Sequence, residues 1–428
     1  MPALKISEKR FNTYSALIES LTLDAKQISE LNPWSNELPA LISHWIFKGA
    51  TKPPISSKQF KLGWRKLIAL QKSSNVSEGT EREIQLSFEF DQIAADIPFL
   101  QAGSTDFKFI DLFAGIGGFR IALQNNGGEC VFSSEWDKAA KKTYFRNFGE
   151  IPYGDIRQFT GDGISDKQID ELIPDHDVLA AGFPCQPFSR AGVSARESLG
   201  QSHGFSCDVQ GTLFFDIVRI AKVKRPKILF LENVRNLMSH DGGNTFRIIR
   251  ETIENDLGYS FNFALINSAP LVPQKRIRCY MVCTREHDDQ FSFPTIEGEP
   301  RKLKEILEKG KRVDEYTISD RLWQGHINRT ARNIKRGTGF TANEADINKP
   351  ANTLVSRYGK DGKECLIPQK GKNPRMLTPR ECARLQGYPD NYITALSKAA
   401  AYRQFGNSVA VPVIQKIAEN IKKVLVDS

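Results

Sequence analysis

From Asp106 to about residue 290, short β-rich apolar segments alternate with helical stretches, and this pattern limits the possible fold more than any other feature of the chain. Parallel strands joined by crossover helices produce such an alternation. The sequence therefore predicts an α/β fold built on a mostly parallel sheet. The predicted strands are residues 107–113, 129–133, 178–181, 227–231, 261–266 and 279–284.

Four residues with charged or reactive side chains fall at the carboxyl ends of these predicted strands: Asp111, Glu135, Cys185 and Glu232. Open α/β sheets bind their ligands at this edge. Acids rarely follow buried apolar runs, such as the one at 228–231, without a partner or a chemical task. We therefore expect these four side chains to share one site.

Cys185 lies in a turn between Pro184 and Pro187, directly after the apolar run at 178–181. Proline fixes φ and lacks a backbone N–H, so this turn is held in shape before any substrate arrives. A thiol that a buried strand delivers into a rigid turn is typical of a nucleophile. By itself, however, a cysteine after a strand is more often a small buried apolar residue.

A glycine-rich turn with Gly115 and Gly117 follows the first predicted strand and opens a helix. Glycines there let the backbone approach a ligand closely, although helix packing alone could also require them. The dinucleotide fingerprint needs a third glycine where Arg120 stands. A nucleoside without phosphates is therefore favoured over a pyrophosphate.

Glu135 follows Gly115 by twenty residues, where such folds place an acid on ribose hydroxyls. Trp136 beside it offers an aromatic face for adenine. The alternatives are an acid at a helix N-terminus for Glu135 and packing between layers for Trp136. Asp155 and Ile156, at a further predicted strand exit, give a weaker signal of the same kind.

Arg276 and Arg278 stand two residues apart just before the last predicted strand, so both should project to the same side. Two guanidiniums on one face suit anionic or carbonyl oxygens, and the alternative is a charged strand edge. The glycine-punctuated segment from Ser189 to Gly211 is too long for a simple connector. Such loops beside a nucleophile often act as lids.

Residues 1–105 are predicted to form a separate helical extension, because apolar positions recur at spacings of three and four in 11–21 and 60–68. The polar stretch 73–83 is typical of a linker. The α/β domain should occupy residues 106–290 and a smaller, irregular domain residues 291–399. Residues 400–428 regain helical spacing and should pack back on the α/β domain.

Positive charge is concentrated in the predicted smaller domain. The whole chain has a formal net charge of +9, and residues 296–375 contain 18 Lys and Arg against 11 Asp and Glu. Such a surplus is expected for contacts with phosphates, and equally for a solvated charged face.

The seven cysteines include no C-x-x-C pair, so neither a disulfide framework nor a metal site is indicated. No apolar segment reaches the length of about 18 residues that a membrane span requires. We therefore expect a cytoplasmic protein with reduced thiols and no membrane contact.

Taken together, these segments resemble the DNA (cytosine-5)-methyltransferases, and most closely the bacterial Dcm type. The resemblance covers about residues 107–428. It rests on residues 111–118, 182–189, 211–215, 232–234, 274–278, 380–387 and 406–412, which occur in the order of the family. It implies an S-adenosylmethionine-dependent, Rossmann-like methyltransferase fold with a DNA target-recognition domain at 291–399.

The resemblance also implies catalytic roles. Cys185 would add to carbon-6 of a cytosine and so activate carbon-5 to take a methyl group from S-adenosylmethionine. Glu232 would hydrogen-bond the cytosine ring nitrogen and amine, for which it needs a proton and hence a raised pKa. Arg276 and Arg278 would contact the cytosine carbonyl and support the site. The target base must leave the DNA stack to reach Cys185.

The positions at which the family holds its cofactor are Phe113, Gly115, Gly117, Glu135, Trp136, Asp155, Ile156, Asn407 and Ser408. Among these, Glu135 would bind the ribose and Asp155 the adenine amine. For the DNA, Ser189 lies in the motif of the nucleophile. Arg336 and Arg357 are the candidates for guanine contacts, with phosphate contact alone as the alternative.

The implied substrate is double-stranded DNA, with the inner cytosine of CCWGG or a related site as target. We expect a monomer of bacterial or phage origin near the nucleoid, working either as a solitary methylase or beside a restriction endonuclease that acts independently. An RNA cytosine-5 methyltransferase and a non-catalytic DNA-binding regulator are the alternatives. The Pro-Cys-Gln turn and the basic insert favour DNA, and retention of Cys185, Glu232 and Arg276 favours catalysis.

Overall fold

The computed structural model describes residues 8–48, 58–74, 96–101, 105–184, 213–285, 291–337 and 344–427. Its central feature is a six-stranded sheet, which contains all six predicted strands. The strands are β1 (Phe107–Leu112), β2 (Gly128–Ser134), β3 (Val178–Gly182), β4 (Ile228–Val234), β5 (Asn262–Asn267) and β6 (Ile277–Thr284).

The strands are arranged in the order β2-β1-β3-β4-β6-β5. Strands β1 to β4 pair in parallel, whereas β6 is antiparallel to both of its neighbours. This arrangement confirms the predicted α/β class with a mostly parallel sheet.

Strands β4 and β6 are longer than predicted, and this changes the setting of two candidate residues. Glu232 and Arg278 were expected to flank strands, but both lie within them, paired with Tyr280 and Val234 respectively. The antiparallel ladder between β4 and β6 continues past the apolar runs, because backbone hydrogen bonds can extend a strand through polar residues.

Fourteen α-helical segments accompany the sheet in the described part of the chain. They are α1 (Glu8–Lys26), α2 (Leu38–Lys48), α3 (Lys58–Ser74), α4 (Gly118–Asn125), α5 (Lys138–Phe148), α6 (Arg157–Thr160), α7 (Asp166–Leu172), α8 (Leu213–Lys224), α9 (Asn244–Glu251), α10 (Asp320–Arg336), α11 (Tyr358–Asp361), α12 (Pro379–Leu385), α13 (Lys398–Asn407) and α14 (Val411–Asp427). A π-helical turn, Thr252–Asp256, extends α9.

Alternate strand residues are buried on opposite faces of the sheet, as the strand repeat requires. Phe109, Ala180 and Phe230 belong to a buried cluster that includes residues of α4 and α14. Ile110 and Leu179 belong to a second cluster, which includes residues of α1 to α3 and α5 to α8. The sheet is thus covered on both sides.

The predicted helices in the N-terminal extension are confirmed, but the extension is not a separate unit. Tyr14, Leu41 and Trp64 from α1, α2 and α3 are buried in the same cluster as Ile110 of β1. Amphipathic helices must bury their apolar stripes against another element, and this face of the sheet supplies the surface.

The region after residue 290 packs against the opposite face. Phe291 and Leu354 join the buried cluster of Phe109. The predicted return of the C-terminal helix is confirmed, because α14 packs on α4 and Lys422 forms an ion pair of 2.6 Å with Asp106. The four domain limits given above stay predictions.

None of the helices within the described ranges is both long and apolar enough to cross a membrane. The same residues contain no group of three or more His, Cys, Asp or Glu side chains able to hold a metal ion.

Candidate active site

The end of β3 and the end of β4 lie side by side. Gly182 pairs in register with Glu232, and a β-carbon added at Gly182 would lie 3.6 Å from Oε2 of Glu232. One residue further, the Asn233 side chain donates a hydrogen bond of 3.1 Å to the carbonyl oxygen of Phe183. The chain is thus anchored beside Glu232 two residues before it reaches Cys185.

Glu232 is buried, with 8 % of its surface exposed. Its Oε1 lies 3.2 Å from Nε of Arg278. Burial raises the pKa of the Glu232 carboxyl, and the positive charges of Arg278 and Arg276 oppose that rise. The geometry thus provides a buried acid whose affinity for a proton is increased, as proton donation requires.

Arg276 holds the backbone of two distant segments. Its guanidinium donates to the carbonyl oxygens of Leu354, at 3.1 Å, and of Ser408. Burial and the neighbouring charge of Arg278 lower the pKa of Arg276 to about 10. Of the two predicted arginines, Arg278 therefore makes the ion pair with Glu232, whereas Arg276 ties the segments after β6 to the sheet.

Cys185 and Ser189, with the predicted lid that ends at Gly211, lie outside the described residues. The cysteines that the structure does describe are Cys130, Cys279, Cys283, Cys365 and Cys382, and all are buried. Burial raises the pKa of Cys279 and of Cys365 to about 12. Such thiols hold their protons at neutral pH and are poor nucleophiles.

The glycine-rich turn after β1 adopts the left-handed conformation at Phe113, Gly115 and Gly117, with φ of 56°, 56° and 81°. A β-carbon at Gly117 would lie 2.2 Å from the ring of Phe148, so this glycine is required by packing. At Gly115 a β-carbon would meet only the carbonyl oxygen of Phe113, at 3.9 Å. The backbone at Gly115 therefore borders open space.

Glu135 lies against this turn. Its carboxylate accepts hydrogen bonds from the backbone N–H of Gly115, at 2.8 Å, and of Asp137, at 2.7 Å. Burial raises the pKa of Glu135. The adjacent Trp136 is 77 % exposed, which excludes the alternative that it packs between layers.

Asp155 was predicted to follow a strand. Instead, Tyr153, two residues before it, forms a single parallel β-bridge with Ser134. Hydrogen bonds from the Arg157 side chain lower the pKa of Asp155, which therefore stays ionised. Ile156 is buried at the start of α6, so its side chain serves the core.

Asn407 ends α13, and Ser408, the next residue, lies close to the glycine-rich turn. Asn407 is exposed, whereas Ser408 is buried, with its hydroxyl 2.6 Å from the hydroxyl of Tyr388. A β-carbon at Gly118 would lie 3.4 Å from the Ser408 hydroxyl. The fold therefore brings a segment near the C-terminus to the exit of β1.

Sequence reasoning missed one residue at this edge, Glu37, and the raised pKa of another, Asp111. The sequence placed Asp111 at a strand end but did not reveal its pKa. Burial raises this pKa to about 8; the charge of Arg120 opposes the rise and that of Glu135 adds to it. Glu37, from the N-terminal extension, accepts a hydrogen bond from the backbone N–H of Gly154. No sequence pattern signals Glu37, since it follows an irregular segment far from the motifs.

Arg336 and Arg357 are both exposed and lie on connected elements of the predicted smaller domain. Arg336 ends α10 and Arg357 precedes α11. The two helices are joined because the Arg329 side chain bonds the Asp361 carboxylate at 3.3 Å.

The sheet order, the glycine-rich turn and an acid against that turn define the class of S-adenosylmethionine-dependent methyltransferases. Solved structures share this fold: the Dnmt2 methyltransferase of S. pombe aligns with a TM-score of 0.55 and 18 % identity, over 75 % of this chain and 98 % of that one. A methyltransferase of Entamoeba histolytica, EhMeth, aligns with a TM-score of 0.55 over 75 % of this chain and 99 % of its own.

The family is defined by sequence. Residues 107–423 match the model of the C-5 cytosine-specific DNA methylases. The type II methyltransferase M.SsoII of Shigella sonnei is 48 % identical over 74 % of this chain and 80 % of its own length. M1.ScrFI of Lactococcus lactis subsp. cremoris is 47 % identical over 81 % of this chain and 85 % of its own length. The DNA-cytosine methyltransferase of Escherichia coli K12 is 41 % identical over 73 % of this chain and 77 % of its own length.

The chain belongs to the C-5 cytosine-specific DNA methylase family. It is a cytosine-5 DNA methyltransferase with S-adenosylmethionine as its cofactor, and its substrate is DNA. The resemblance drawn from the sequence is thereby confirmed.

The residues around the glycine-rich turn fit this cofactor. The open space beside Gly115 provides room for a ligand. The exposed ring of Trp136 provides a stacking face, and the ionised Asp155 provides an acceptor for an amine. The carboxylate oxygens of Glu135 each accept one backbone N–H and retain capacity for ribose hydroxyls.

Proposed function

We propose that this enzyme methylates carbon-5 of one cytosine within a specific double-stranded DNA site, after that base has been rotated out of the helix. The observation that carries the proposal is the position of Glu232. This buried acid lies beside the β3 end that leads to Cys185, in an ion pair with Arg278. A stacked base could not reach such a recess, so the base must be flipped, at a cost of a few kcal/mol.

In the proposed reaction, the Cys185 thiolate forms a bond to carbon-6 while Glu232 transfers its proton to the ring nitrogen of cytosine. The electron pair of the ring double bond becomes available at carbon-5. When bound, S-adenosylmethionine would supply carbon-5 with an electrophilic methyl group and would retain the electron pair of the sulfur–methyl bond.

The product is released by reversal of the first step. The proton on carbon-5 leaves to solvent, the bond between carbon-6 and Cys185 breaks, and the proton on the ring nitrogen returns to Glu232. Between these two steps Arg278 faces an ionised Glu232 carboxylate, which its charge stabilises. Glu232 thus alternates between acid and base while Arg278 holds it in place.

The cofactor pocket is proposed to consist of the turn from Phe113 to Gly117 with Glu135, Trp136, Asp155 and the segment of Asn407 and Ser408. Ile156 would contribute through its backbone, because its side chain is buried. Arg336 and Arg357 are proposed to contact DNA, supported by their exposure and by the basic character of residues 296–375. Ser189 is proposed to act at the DNA beside Cys185.

The proposed target is the inner cytosine of CCWGG or a related site, in the setting of type II modification. The similarity to the Escherichia coli DNA-cytosine methyltransferase and to type II methyltransferases supports this choice. A restriction endonuclease that acts independently would then be the cellular counterpart, and the enzyme would work as a monomer.

The test is methylation of duplexes that differ only in the central base pair of a CC-N-GG site, read by bisulfite sequencing. We expect methylation of the inner cytosine with A or T at the centre. Equal methylation with all four central pairs would show a broader site, and methylation of tRNA but no duplex would overturn the proposal. A 5-fluorocytosine duplex should trap a covalent adduct with the wild type but not with Cys185→Ser.

A further inference from the structure

The N-terminal extension lies outside the family match, yet one of its side chains contacts the residue that precedes Asp155 of the proposed cofactor pocket. Glu37 stands just before α2 and is 4 % exposed. Its Oε2 accepts a hydrogen bond of 2.9 Å from the backbone N–H of Gly154. Gly154 directly precedes Asp155, the proposed acceptor for the adenine amine.

We propose that Glu37 is a positioning residue for S-adenosylmethionine binding, which acts by holding the backbone at Gly154 and thereby fixing Asp155 at the rim of the pocket. The inference rests on the proposed assignment of Asp155 and Trp136 to that pocket. It gives the N-terminal extension a part in cofactor binding that is separate from DNA recognition.

The contact depends on close approach. A β-carbon at Gly154 would lie 2.5 Å from Oε1 of Glu37, closer than side chains tolerate. A larger residue at 154 would therefore push the Glu37 carboxylate out of its present position, so glycine favours this contact. Loss of the acceptor would leave this N–H without its protein partner in a half-buried place, which weakens the hold on the backbone.

The segment that ends at Asp155 is held by α2 at further points. The backbone N–H of Ile151 donates to the Ser43 hydroxyl at 2.9 Å, and the ring of His44 stacks on that of Tyr153 with centroids 5.0 Å apart. On its other side Tyr153 bridges to Ser134 of β2. The segment is thus fixed between the sheet and the extension, and Glu37 makes the contact next to Asp155.

Charge links Glu37 to the other side of the pocket. Lys141 on α5 interacts electrostatically with both Glu37 and Glu135, the proposed ribose ligand. Burial lowers the pKa of Lys141, and the two carboxylates oppose that change. Glu37 therefore belongs to the same charge network as a proposed cofactor ligand.

The experiment measures the Kd of S-adenosylhomocysteine by calorimetry with the full-length protein, well below the Tm of each variant. Glu37→Ala should weaken binding about tenfold, because the loop then samples positions that do not bind. Glu37→Gln keeps an oxygen acceptor and should stay within about threefold of the wild type. Tyr14→Phe is the matched control, since it removes the hydrogen bond of 2.9 Å from the same extension to the Gly149 carbonyl oxygen.

Wild-type affinity in Glu37→Ala would overturn the inference, as would equal losses in Glu37→Gln or Tyr14→Phe. Trp136→Ala, measured in the same series, separates this failure from failure of the pocket assignment. If Trp136→Ala binds weakly while Glu37→Ala binds normally, only the role of Glu37 is wrong. If both bind normally, the proposed pocket is wrong as well.

Discussion

The Asn233 side chain donates a hydrogen bond to the carbonyl oxygen of Phe183, and so joins the end of β4 to the chain that leads to Cys185. Asn233 is 2 % exposed, and its own side-chain oxygen accepts from the N–H of Val234. The residue next to the proposed acid therefore fixes the approach to the proposed nucleophile.

Asn233→Ala should lower kcat about 10- to 100-fold, because a small displacement of a reacting group is costly. The Kd of S-adenosylhomocysteine should stay at the wild-type value, since Asn233 does not touch the proposed cofactor pocket. Single-turnover methylation and calorimetry check the two values. Unchanged kcat in a variant whose Tm falls would assign Asn233 a purely structural role.

Glu232→Gln should reduce the single-turnover rate about 100-fold or more, because glutamine can donate a hydrogen bond but no proton. In the wild type, burial raises the pKa of Glu232, so its protonated form persists to higher pH than for an ordinary glutamate. The rate should fall as pH rises through that raised pKa. In Glu232→Gln the rate should not fall over this pH range. If the fall persists in the variant, another group donates the proton.

Asp111 predicts a pH dependence of stability. Burial raises its pKa from 3.8 to about 8, so between these values the folded protein binds a proton that the unfolded chain releases. The contribution of Asp111 to the free energy of unfolding is therefore complete below pH 3.8, its pKa in the unfolded chain. It is lost as pH rises to about 8, at about 1.4 kcal/mol per pH unit. Urea unfolding of Asp111→Asn should lack this contribution. An identical slope in both proteins would contradict the raised pKa.

Arg336→Ala and Arg357→Ala should distinguish base reading from phosphate contact. If Arg357 reads a guanine, its loss costs about 1–3 kcal/mol on the target site and relaxes specificity there. If it contacts only phosphate, binding weakens on all sequences and the salt dependence falls by about one ion. Arg247→Ala is a control, because this exposed arginine on α9 pairs with Glu251 outside the predicted smaller domain. Wild-type binding in both variants would remove these residues from the DNA interface.

The sequence alone determined the fold class, the six strands and the family, because periodicity and motifs are local properties of the chain. Asp111, Glu135 and Glu232 were recognised for the same reason, since each follows a buried apolar run. Local patterns also placed α1, α3 and α14 correctly.

Tertiary structure decided what these residues contact. The hydrogen bonds of Arg276 to Leu354 and Ser408 join residues that are far apart in the chain, and so does that of Gly154 to Glu37. Residue spacing in the sequence does not predict such pairs. They form only when helices from both ends of the chain bury their apolar faces on opposite sides of one sheet. The same burial sets the pKa of Glu232 and Asp111, since desolvation depends on the packed surroundings and not on neighbours in sequence.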